Sequence, residues 1–255
     1  MKANLSVAII TKNEEENIRQ CLESVSFASQ IILVDSGSTD STLRIAAEFG
    51  CEIYSEAWRG FGPQKQFAIE KCRQPWILVL DADEWVTPAL KEEIVSALKN
   101  PGDHVAFMVP RLSSFCGQYI HYSGWRPDYV TRLCRRDKAH FGGEIVHESM
   151  IVNGNVGCLS NPIMHGSYKD LEHVLTKLNR YSTDGAESML AEGRKSSLLK
   201  AILHGLWSFF FTYVGRAGFL DGRLGFILAV YNAETTYYKY LKLMMVSQNK
   251  KNKNG

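Results

Sequence analysis

The chain has 255 residues, of which 45% are hydrophobic and 22% are charged. These values are ordinary for a globular protein and exclude a disordered chain, a collagen-like fibre and a disulfide-stapled miniprotein. The formal net charge of +2 hides an asymmetry, because residues 1–193 carry 19 basic and 25 acidic side chains whereas residues 194–255 carry 10 and 2. A basic tail on an acidic body predicts a polyanionic partner, either nucleic acid or an anionic membrane surface.

The six cysteines are spread along the chain without a C-x-x-C pair or a cysteine-histidine cluster at zinc spacing. We therefore expect reduced cysteines scattered through the core. The apolar run near the N-terminus, Leu5 to Ile10, is too short for the core of a signal peptide. Together these features predict a cytosolic protein.

The first hundred residues alternate strand-like and helix-like patterns, which predicts βαβ units and a largely parallel sheet. Asn13 is predicted to cap the first helix, with Glu16 completing a capping box. Thr87 and Pro88 are typical of the start of another helix. The predicted strands are 6–10, 31–34, 51–54 and 76–80, and the intervening helices include 41–49 and 63–72.

The pattern loosens after residue 104 into short strands near 105–111, 130–135 and 145–151, followed by a helix over 170–192. An amphipathic stripe then begins near residue 199. We therefore expect an α/β domain over 1–193, a basic, aromatic-rich helical region over 194–247 and a disordered tail over 248–255.

Two carboxylates, Asp35 and Asp81, each follow directly on an aliphatic strand. Both should project from the carboxyl edge of the sheet, where open α/β sheets bind ligands. No glycine-rich turn follows the first strand and no G-x-x-x-x-G-K-[ST] motif occurs, so a dinucleotide-binding dehydrogenase and a P-loop NTPase are disfavoured.

In the run Asp81-Ala82-Asp83, two carboxylates stand two residues apart. On an extended segment they would point to the same side and could hold a hard divalent cation, which in turn could bridge to a diphosphate. The alternative is a polar turn where a strand ends. We favour the cation site because neighbouring acids on a buried strand repel unless something compensates them.

Several segments, in order and in strand context, resemble the nucleotide-binding half of family 2 inverting glycosyltransferases of the GT-A fold. The resemblance is closest to a branch that contains lipopolysaccharide-core β-glucosyltransferases, and it covers nearly the whole chain. The segments are Val7-Ala8-Ile9-Ile10-Thr11-Lys12-Asn13-Glu14-Glu15, Ile32-Leu33-Val34-Asp35-Ser36-Gly37-Ser38-Thr39-Asp40, Leu80-Asp81-Ala82-Asp83, Gly60-Phe61-Gly62-Pro63-Gln64-Lys65-Gln66, Trp125-Arg126-Pro127-Asp128, Arg132-Leu133, Val146-His147-Glu148 and Phe219-Leu220-Asp221-Gly222-Arg223-Leu224-Gly225-Phe226.

The resemblance implies a Rossmann-like, mostly parallel sheet and a metal-dependent enzyme that uses a UDP-sugar. The divalent cation, Mg²⁺ or Mn²⁺, would be held by Asp83, with His165 as a further ligand. Glu148 is the candidate base that takes the proton from the acceptor hydroxyl. The candidate nucleotide-sugar contacts are Thr11, Glu14, Asp35, Lys65, Asp81 and Arg132.

Residues 201–215 carry no charged side chain and include Trp207-Ser208-Phe209-Phe210-Phe211. This segment is shorter than the roughly 20 apolar residues that span a bilayer as a helix. We expect an in-plane amphipathic helix on the inner face of the cytoplasmic membrane. The basic residues expected to face anionic lipid are Arg194, Lys195, Arg216, Arg223, Lys239 and Lys242. The alternative to membrane docking is a helical pair buried against the catalytic domain or a partner chain. Nucleic acid is disfavoured as the partner because no recognised nucleic-acid module is present.

The favoured function is transfer of a hexose, with glucose inferred from the resemblance, to a lipopolysaccharide inner-core heptose. A polyprenyl phosphate is the alternative acceptor, and a non-catalytic sugar-nucleotide-binding membrane scaffold is the alternative without chemistry. A haloacid-dehalogenase-type phosphatase also begins with D-x-D, but Trp85 stands where that pattern expects Thr or Val, and no Asp-Asp dipeptide occurs.

Overall fold

A computed structural model describes residues 2–142 and 149–253, with side chains through residue 247. It divides into two compact units. Unit 1 comprises Met1–Leu112 and Asp128–Gly166, and unit 2 comprises Ser113–Pro127 and Ser167–Gly255. The helix of 171–191 belongs to unit 2, together with the C-terminal helices.

The strands are β1 (Ala3–Thr11), β2 (Ala28–Asp35), β3 (Glu52–Ser55), β4 (Trp76–Asp81), β5 (Glu84–Val86), β6 (His104–Phe115), β7 (Gln118–Tyr119), β8 (Tyr129–Arg135), β9 (Ala139–Phe141), β10 (Met150–Val152), β11 (Asn155–Cys158) and β12 (Ile163–Tyr168). The helices are α1 (Ile18–Ser24), α2 (Thr42–Glu48), α3 (Phe61–Glu70), α4 (Pro88–Lys99), α5 (Leu171–Ala191), α6 (Leu198–Phe210) and α7 (Gly222–Lys253).

The main sheet has the strand order β3-β2-β1-β4-β8-β6-β12-β5. Strands β3, β2, β1 and β4 run parallel to one another, whereas β8 runs antiparallel to β4 and β6. The α/β class and the mostly parallel sheet are thus confirmed. Central β1 alternates between two cores, because Val7 and Ile9 pack with α1 and α4 while Ala8 and Ile10 pack with α3. A strand covered on both faces explains its continuous apolar run.

The predicted cap of the first helix is wrong. Asn13 lies in a left-handed conformation with φ of 55°, four residues before the actual N-cap, Asn17, and α1 begins only at Ile18. The Asn13 side-chain oxygen accepts a hydrogen bond at 2.8 Å from the backbone N–H of Thr39. The capping pattern is local, but a loop 26 residues away competes for the same side chain. By contrast, the predicted start at Thr87 is confirmed, because its hydroxyl accepts from the N–H of Leu90.

Unit 2 is built on helices α5, α6 and α7. Its core contains Phe115, Tyr168, Leu178 and Tyr231, and the two tyrosine hydroxyls lie 3.0 Å apart. Between α6 and α7 the chain forms a π-helical turn at Phe211–Gly215 and a short 3-10 turn at Gly218–Asp221. Helix α7 continues to Lys253, into the segment where the sequence predicts a disordered tail.

Candidate functional site

Three neighbouring strands of unit 1 end together at one edge of the sheet. In the parallel registers, Thr11 on β1 pairs with Asp35 on β2, and Ile10 pairs with Asp81 on β4. Since adjacent strands lie about 4.8 Å apart, the backbones of Asp35 and Asp81 are separated by about 10 Å. The sequence-based expectation that these carboxylates share one edge is met.

Asp35 is buried, and the loop that follows it holds its carboxylate. The backbone N–H groups of Gly37 and Ser38 donate to it at 2.9 Å and 3.0 Å. Gly37 has φ of 95°, which glycine adopts without steric cost. The neighbouring Thr11 hydroxyl is also buried, yet it has no hydrogen-bond partner among the described residues.

The loops after β1 and β2 are joined by hydrogen bonds in both directions. The backbone N–H of Glu14 donates to the hydroxyl of Thr42 at 2.8 Å, and the N–H of Ser41 donates to the Glu15 carboxylate at 2.9 Å. The Glu14 carboxylate accepts from the Asn17 side chain at 2.7 Å. Glu14, a predicted nucleotide contact, is therefore held at this rim.

Asp81 lies between two buried cations. Its Oδ1 is 2.8 Å from Nζ of Lys65, and its Oδ2 accepts from Nη2 of Arg132 at 2.7 Å. Burial by itself would raise the pKa of Asp81, but Arg132 and Lys65 outweigh burial and hold the pKa well below its usual range. The predicted site residues Lys65, Asp81 and Arg132 therefore come together, with Asp81 ionised.

Glu84 extends this cluster and has no solvent exposure. Its Oε1 accepts from Nη2 of Arg132 at 2.6 Å, and Arg111 lies 3.5 Å away on the same oxygen. Arg111 in turn donates to Asp128 at 2.8 Å. Sequence reasoning missed Glu84, Arg111 and Asp128. The signal for Glu84 was present, since it directly follows Asp83 and precedes the apolar pair Trp85-Val86.

Asp83 and His165 form a second pair at the same edge. Residues 82–83 are a turn between β4 and β5, so the two aspartates do not lie on one extended segment. Antiparallel pairing of β5 and β12 sets Glu84 opposite His165, and Nε2 of His165 lies 3.3 Å from Oδ2 of Asp83. Asp83 thus faces a histidine, whereas Asp81 faces two cations.

The side chains of Asp83 and His165 suit a divalent cation whose other coordination positions stay open to substrate and water. Within the described ranges, no group of three or more His, Cys, Asp or Glu side chains could hold a metal ion. Mg²⁺ is commonly bound by one or two carboxylates together with substrate phosphates and water, and imidazole is a ligand for several transition metals. Asp83 and His165 have that composition, while Asp81 is already neutralised by Lys65 and Arg132.

Glu148, the predicted base, lies outside the described residues, which stop at 142 and resume at 149. Its role stays a prediction.

The motif at 219–226 is structural within unit 2. The Asp221 carboxylate accepts from the backbone N–H groups of His121 and Tyr122 and from the hydroxyl of Ser123. Gly225 packs so closely on Gly218 that an added Cβ would lie 1.8 Å from the Gly218 carbonyl oxygen. This part of the motif therefore holds the loop of 121–123 against the start of α7.

Helix α6 and the π-helical turn that follows it present two contrasting faces. Ala201, Gly205 and Thr212 are buried, and the Ser208 hydroxyl donates to the Asn232 carbonyl oxygen of α7 at 3.1 Å. The opposite face exposes large apolar side chains, with Trp207 67% exposed. We call this set the apolar face, and it consists of Leu199, Ile202, Leu203, Leu206, Trp207, Phe210 and Val214.

Among the described residues, one helical segment, Leu198–Gly215, is long and apolar enough to cross a membrane by length and composition alone, and 17% of it is buried. The stretch therefore reaches further than the 15 uncharged residues suggest, because Leu198 and Leu199 precede Lys200. An in-plane position for this helix stays a prediction.

One expected lipid-facing residue points elsewhere. Nζ of Lys242 donates to the Asn179 carbonyl oxygen at 2.9 Å and to the hydroxyls of Ser182 and Thr183, each at 2.8 Å. Lys242 therefore holds α7 to α5. Lys239 is half-buried, and burial, with a contribution from Arg194, lowers its pKa. The exposed basic residues of the region are Arg194, Lys195, Lys200, Arg216 and Arg223.

The six cysteines are free. Cys21, Cys72 and Cys134 are buried as expected, but Cys158 is exposed. Burial raises the pKa of Cys72 and of Cys134 to about 12, so these thiols stay protonated at neutral pH.

An α/β sheet whose parallel strands end in clustered carboxylates defines the class of protein, a ligand-binding fold with its site at the strand ends. A family model described as glycosyl transferase family 2 matches residues 6–151, and the chain belongs to this family. It is a glycosyltransferase with the GT-A fold, which rules against the phosphatase alternative.

Two similar proteins align over nearly their whole lengths. A lipopolysaccharide core biosynthesis glycosyltransferase, LpsC, of Rhizobium meliloti is 31% identical, and the alignment covers 94% of each chain. An uncharacterised glycosyltransferase of Rickettsia conorii is 30% identical over 97% of this chain and 92% of its own length. Among solved structures, that of S. aureus TarS 1–349 in complex with UDP-GlcNAc has a TM-score of 0.47 and 14% identity, covering 98% of this chain and 92% of that one.

Proposed function

We propose that the protein is an inverting, metal-dependent hexosyltransferase that moves a sugar, with glucose favoured, from a UDP-sugar to an inner-core heptose of lipopolysaccharide. The likeness to LpsC over 94% of both chains supports the acceptor class. The observation that carries the donor class is the edge of unit 1, where Thr11, Asp35 and Asp81 end adjacent strands beside the Asp83–His165 pair.

Among the described residues, four buried side-chain polar atoms have no hydrogen-bond partner. They include Oγ1 of Thr11 and Nε of Arg132 near this edge. Buried polar groups in native proteins are nearly always hydrogen-bonded, and the exceptions concentrate where a ligand, ion or water completes the site. A nucleotide offers both a base with polar edges for Thr11 and anionic oxygens for Arg132.

The cations around Asp81 suit the anionic half of the donor. Lys65 and Arg132 are held in place by Asp81, and an arginine guanidinium presents several donors in a fixed plane. Asp83 and His165 would hold the divalent cation, which, when bound, supplies positive charge to a departing diphosphate. The chain itself would contribute two metal ligands, two fixed cations and the strand-end edge that positions them.

Inversion requires one base and no covalent intermediate. We propose Glu148 as the group that removes the proton from the acceptor hydroxyl as that oxygen attacks the anomeric carbon. The support is its sequence position after the D-x-D motif, 65 residues beyond Asp83.

We further propose that the protein docks on the inner face of the cytoplasmic membrane through unit 2. The apolar face of α6 would enter the boundary between headgroups and acyl chains, and the exposed basic residues would attract anionic lipid. The only two acids of the segment 194–255 are Asp221 and Glu234, and the Asp221 carboxylate is already occupied by the loop of 121–123. Charge and apolarity in this unit are thus both suited to an anionic bilayer.

The experiment is a screen of UDP-sugars for acceptor-dependent release of UDP, with Mg²⁺ or Mn²⁺ and one acceptor at a time. We expect release with a heptose-containing inner-core acceptor, and transfer lost in Glu148→Gln while UDP binding is kept. Release of UDP only with a polyprenyl phosphate would make that compound the acceptor in place of the heptose. Tight UDP-sugar binding without turnover, unchanged by Glu148→Gln, would favour the scaffold. Retained transfer in Glu148→Gln would reject this choice of base.

A further inference from the structure

The inference concerns Glu84, which is fully buried beside the donor edge and has no part in the function proposed above. A buried carboxylate is costly unless it is paired and hydrogen-bonded. Its two oxygens are used separately. Oε1 accepts from Nη2 of Arg132 at 2.6 Å, and Oε2 accepts from the backbone N–H of Asp81 at 3.1 Å.

Both bonds lead to the same residue, Asp81. Nη2 of Arg132, which donates to Glu84, also donates to Oδ2 of Asp81 at 2.7 Å. Glu84 therefore holds Asp81 from two directions, through the backbone of Asp81 and through the guanidinium that contacts its side chain. Fixing both ends of that contact leaves Arg132 few alternative positions.

The charges around Glu84 form an alternating chain in unit 1. Lys65 contacts Asp81, Arg132 bridges Asp81 and Glu84, and Arg111 bridges Glu84 and Asp128. Three positive and three negative groups are thus in sequence. Removing the charge of Glu84 alone would leave Arg132 and Arg111 facing each other across a fully buried side chain that no longer carries a compensating charge.

We propose that Glu84 is a positioning residue of the donor site: it fixes Arg132 and Asp81 in the arrangement that receives the nucleotide diphosphate. This rests on the proposed function, because it takes the strand-end edge as the site for a UDP compound. Glu84 itself contacts no substrate in this account. Its effect reaches the ligand only through Arg132 and Asp81.

Glutamine at this position removes one acceptor without changing shape. Glu84→Gln leaves a single side-chain oxygen for two donors, so its NH2 group must face either Nη2 of Arg132 or the N–H of Asp81. An unsatisfied buried hydrogen-bond donor is costly enough to change an equilibrium constant by about 10- to 100-fold. The UDP compound would have to restore the positions of Arg132 and Asp81 when it binds.

The test is titration calorimetry of UDP with Mn²⁺ on the full chain, with the melting temperature measured for each variant. We expect Glu84→Gln to weaken UDP binding about 10- to 100-fold. Glu84→Asp keeps two acceptor oxygens and should restore part of the loss. In an Arg132→Met background, Glu84→Gln should cost less than it does alone, because the two residues act through one contact.

Glu93→Gln is the matched control. The two carboxylate oxygens of Glu93 also accept from two separate backbone N–H groups, those of Ser160 at 2.7 Å and Asn161 at 2.9 Å. It should lower the melting temperature and leave UDP binding unchanged. Wild-type affinity in Glu84→Gln, whatever its melting temperature, would overturn the positioning role, as would an equal loss in Glu93→Gln. Absence of UDP binding in the wild type would instead refute the proposed function.

Discussion

In folded proteins charged side chains are usually exposed and large apolar side chains are usually buried. The strand-end edge of unit 1 and the helix α6 of unit 2 depart from this distribution in opposite ways. At the edge, Lys65, Glu84 and Arg132 are charged and at most 5% exposed. On α6, Leu199 and Trp207 are apolar and about two-thirds exposed, at 64% and 67%. Buried charges and exposed apolar clusters are the informative departures in a folded protein. Both departures agree with the proposed function, in which the strand-end edge receives an anionic ligand and the apolar face of α6 meets an apolar phase.

The largest effect on activity is expected at the strand-end edge of unit 1. Asp83→Ala removes the one carboxylate of the pair with His165, so metal-dependent turnover should fall by about a thousandfold or more, the scale of losing a main electrostatic element of a site. UDP release in the presence of Mn²⁺ measures it. Asp137→Ala, at an exposed acid of the same unit, serves as the control and should retain activity. Comparable turnover in both variants would contradict the assignment of Asp83 as a metal ligand.

The apolar side is tested by making α6 polar. Leu203→Ser combined with Trp207→Ser removes two exposed apolar side chains, each worth about 1.5–3 kcal/mol when fully buried. Binding to vesicles that contain anionic phospholipid should fall at least about tenfold. Trp58→Ser, at an exposed tryptophan of unit 1, should bind vesicles like the wild type. If cosedimentation shows no difference between the two, the face has another partner.

A smaller effect is expected where unit 2 holds its own loop. Asp221→Ala removes the acceptor shared by His121, Tyr122 and Ser123, and should lower the free energy of unfolding by about 1–3 kcal/mol. Urea denaturation provides the measurement. Asp184→Ala, which breaks only an exposed ion pair with Arg180, should cost less than about 1 kcal/mol. Equal costs would mean that Asp221 is no more than a surface acid.

The smallest effect concerns the cysteines, whose environments differ without bearing on the site. In the native protein at pH 8, iodoacetamide should modify exposed Cys158 first, and loss of activity should not follow. Cys72 and Cys134 should stay unmodified, because burial blocks access and raises the pKa of each to about 12. Mass spectrometry of the labelled protein reports both. Early modification of Cys72 or Cys134 would show that the core of unit 1 opens.

The parallel strands were predictable because each is a short aliphatic run that ends at a polar turn, and the carboxyl edge then follows from topology. Asp35, Asp81 and Asp83 were found for that reason. Lys65 was assigned to the site only by resemblance, since a lone lysine on a helix is normally solvated. Its burial depends on Asp81, 16 residues away, which no local pattern encodes.

Two of the wrong predictions share one physical origin, competition from distant partners. Asn13 has the signature of a cap, but the N–H of Thr39 takes its side-chain oxygen. Lys242 belongs to the basic region that is predicted to face lipid, but three oxygens of α5 and the Asn179 side chain surround its ammonium group. Polar side chains on a predicted face bond to whatever the tertiary structure places within reach, and sequence periodicity contains no information about that.

The central claim is that the strand-end edge of unit 1 takes up a cation together with a uridine diphosphate. Titration of UDP into the protein with and without Mn²⁺ tests it most directly. The account predicts saturable binding that strengthens with Mn²⁺ in the wild type and loses its Mn²⁺ dependence in Asp83→Ala. A wild-type protein that binds no UDP under either condition would contradict it.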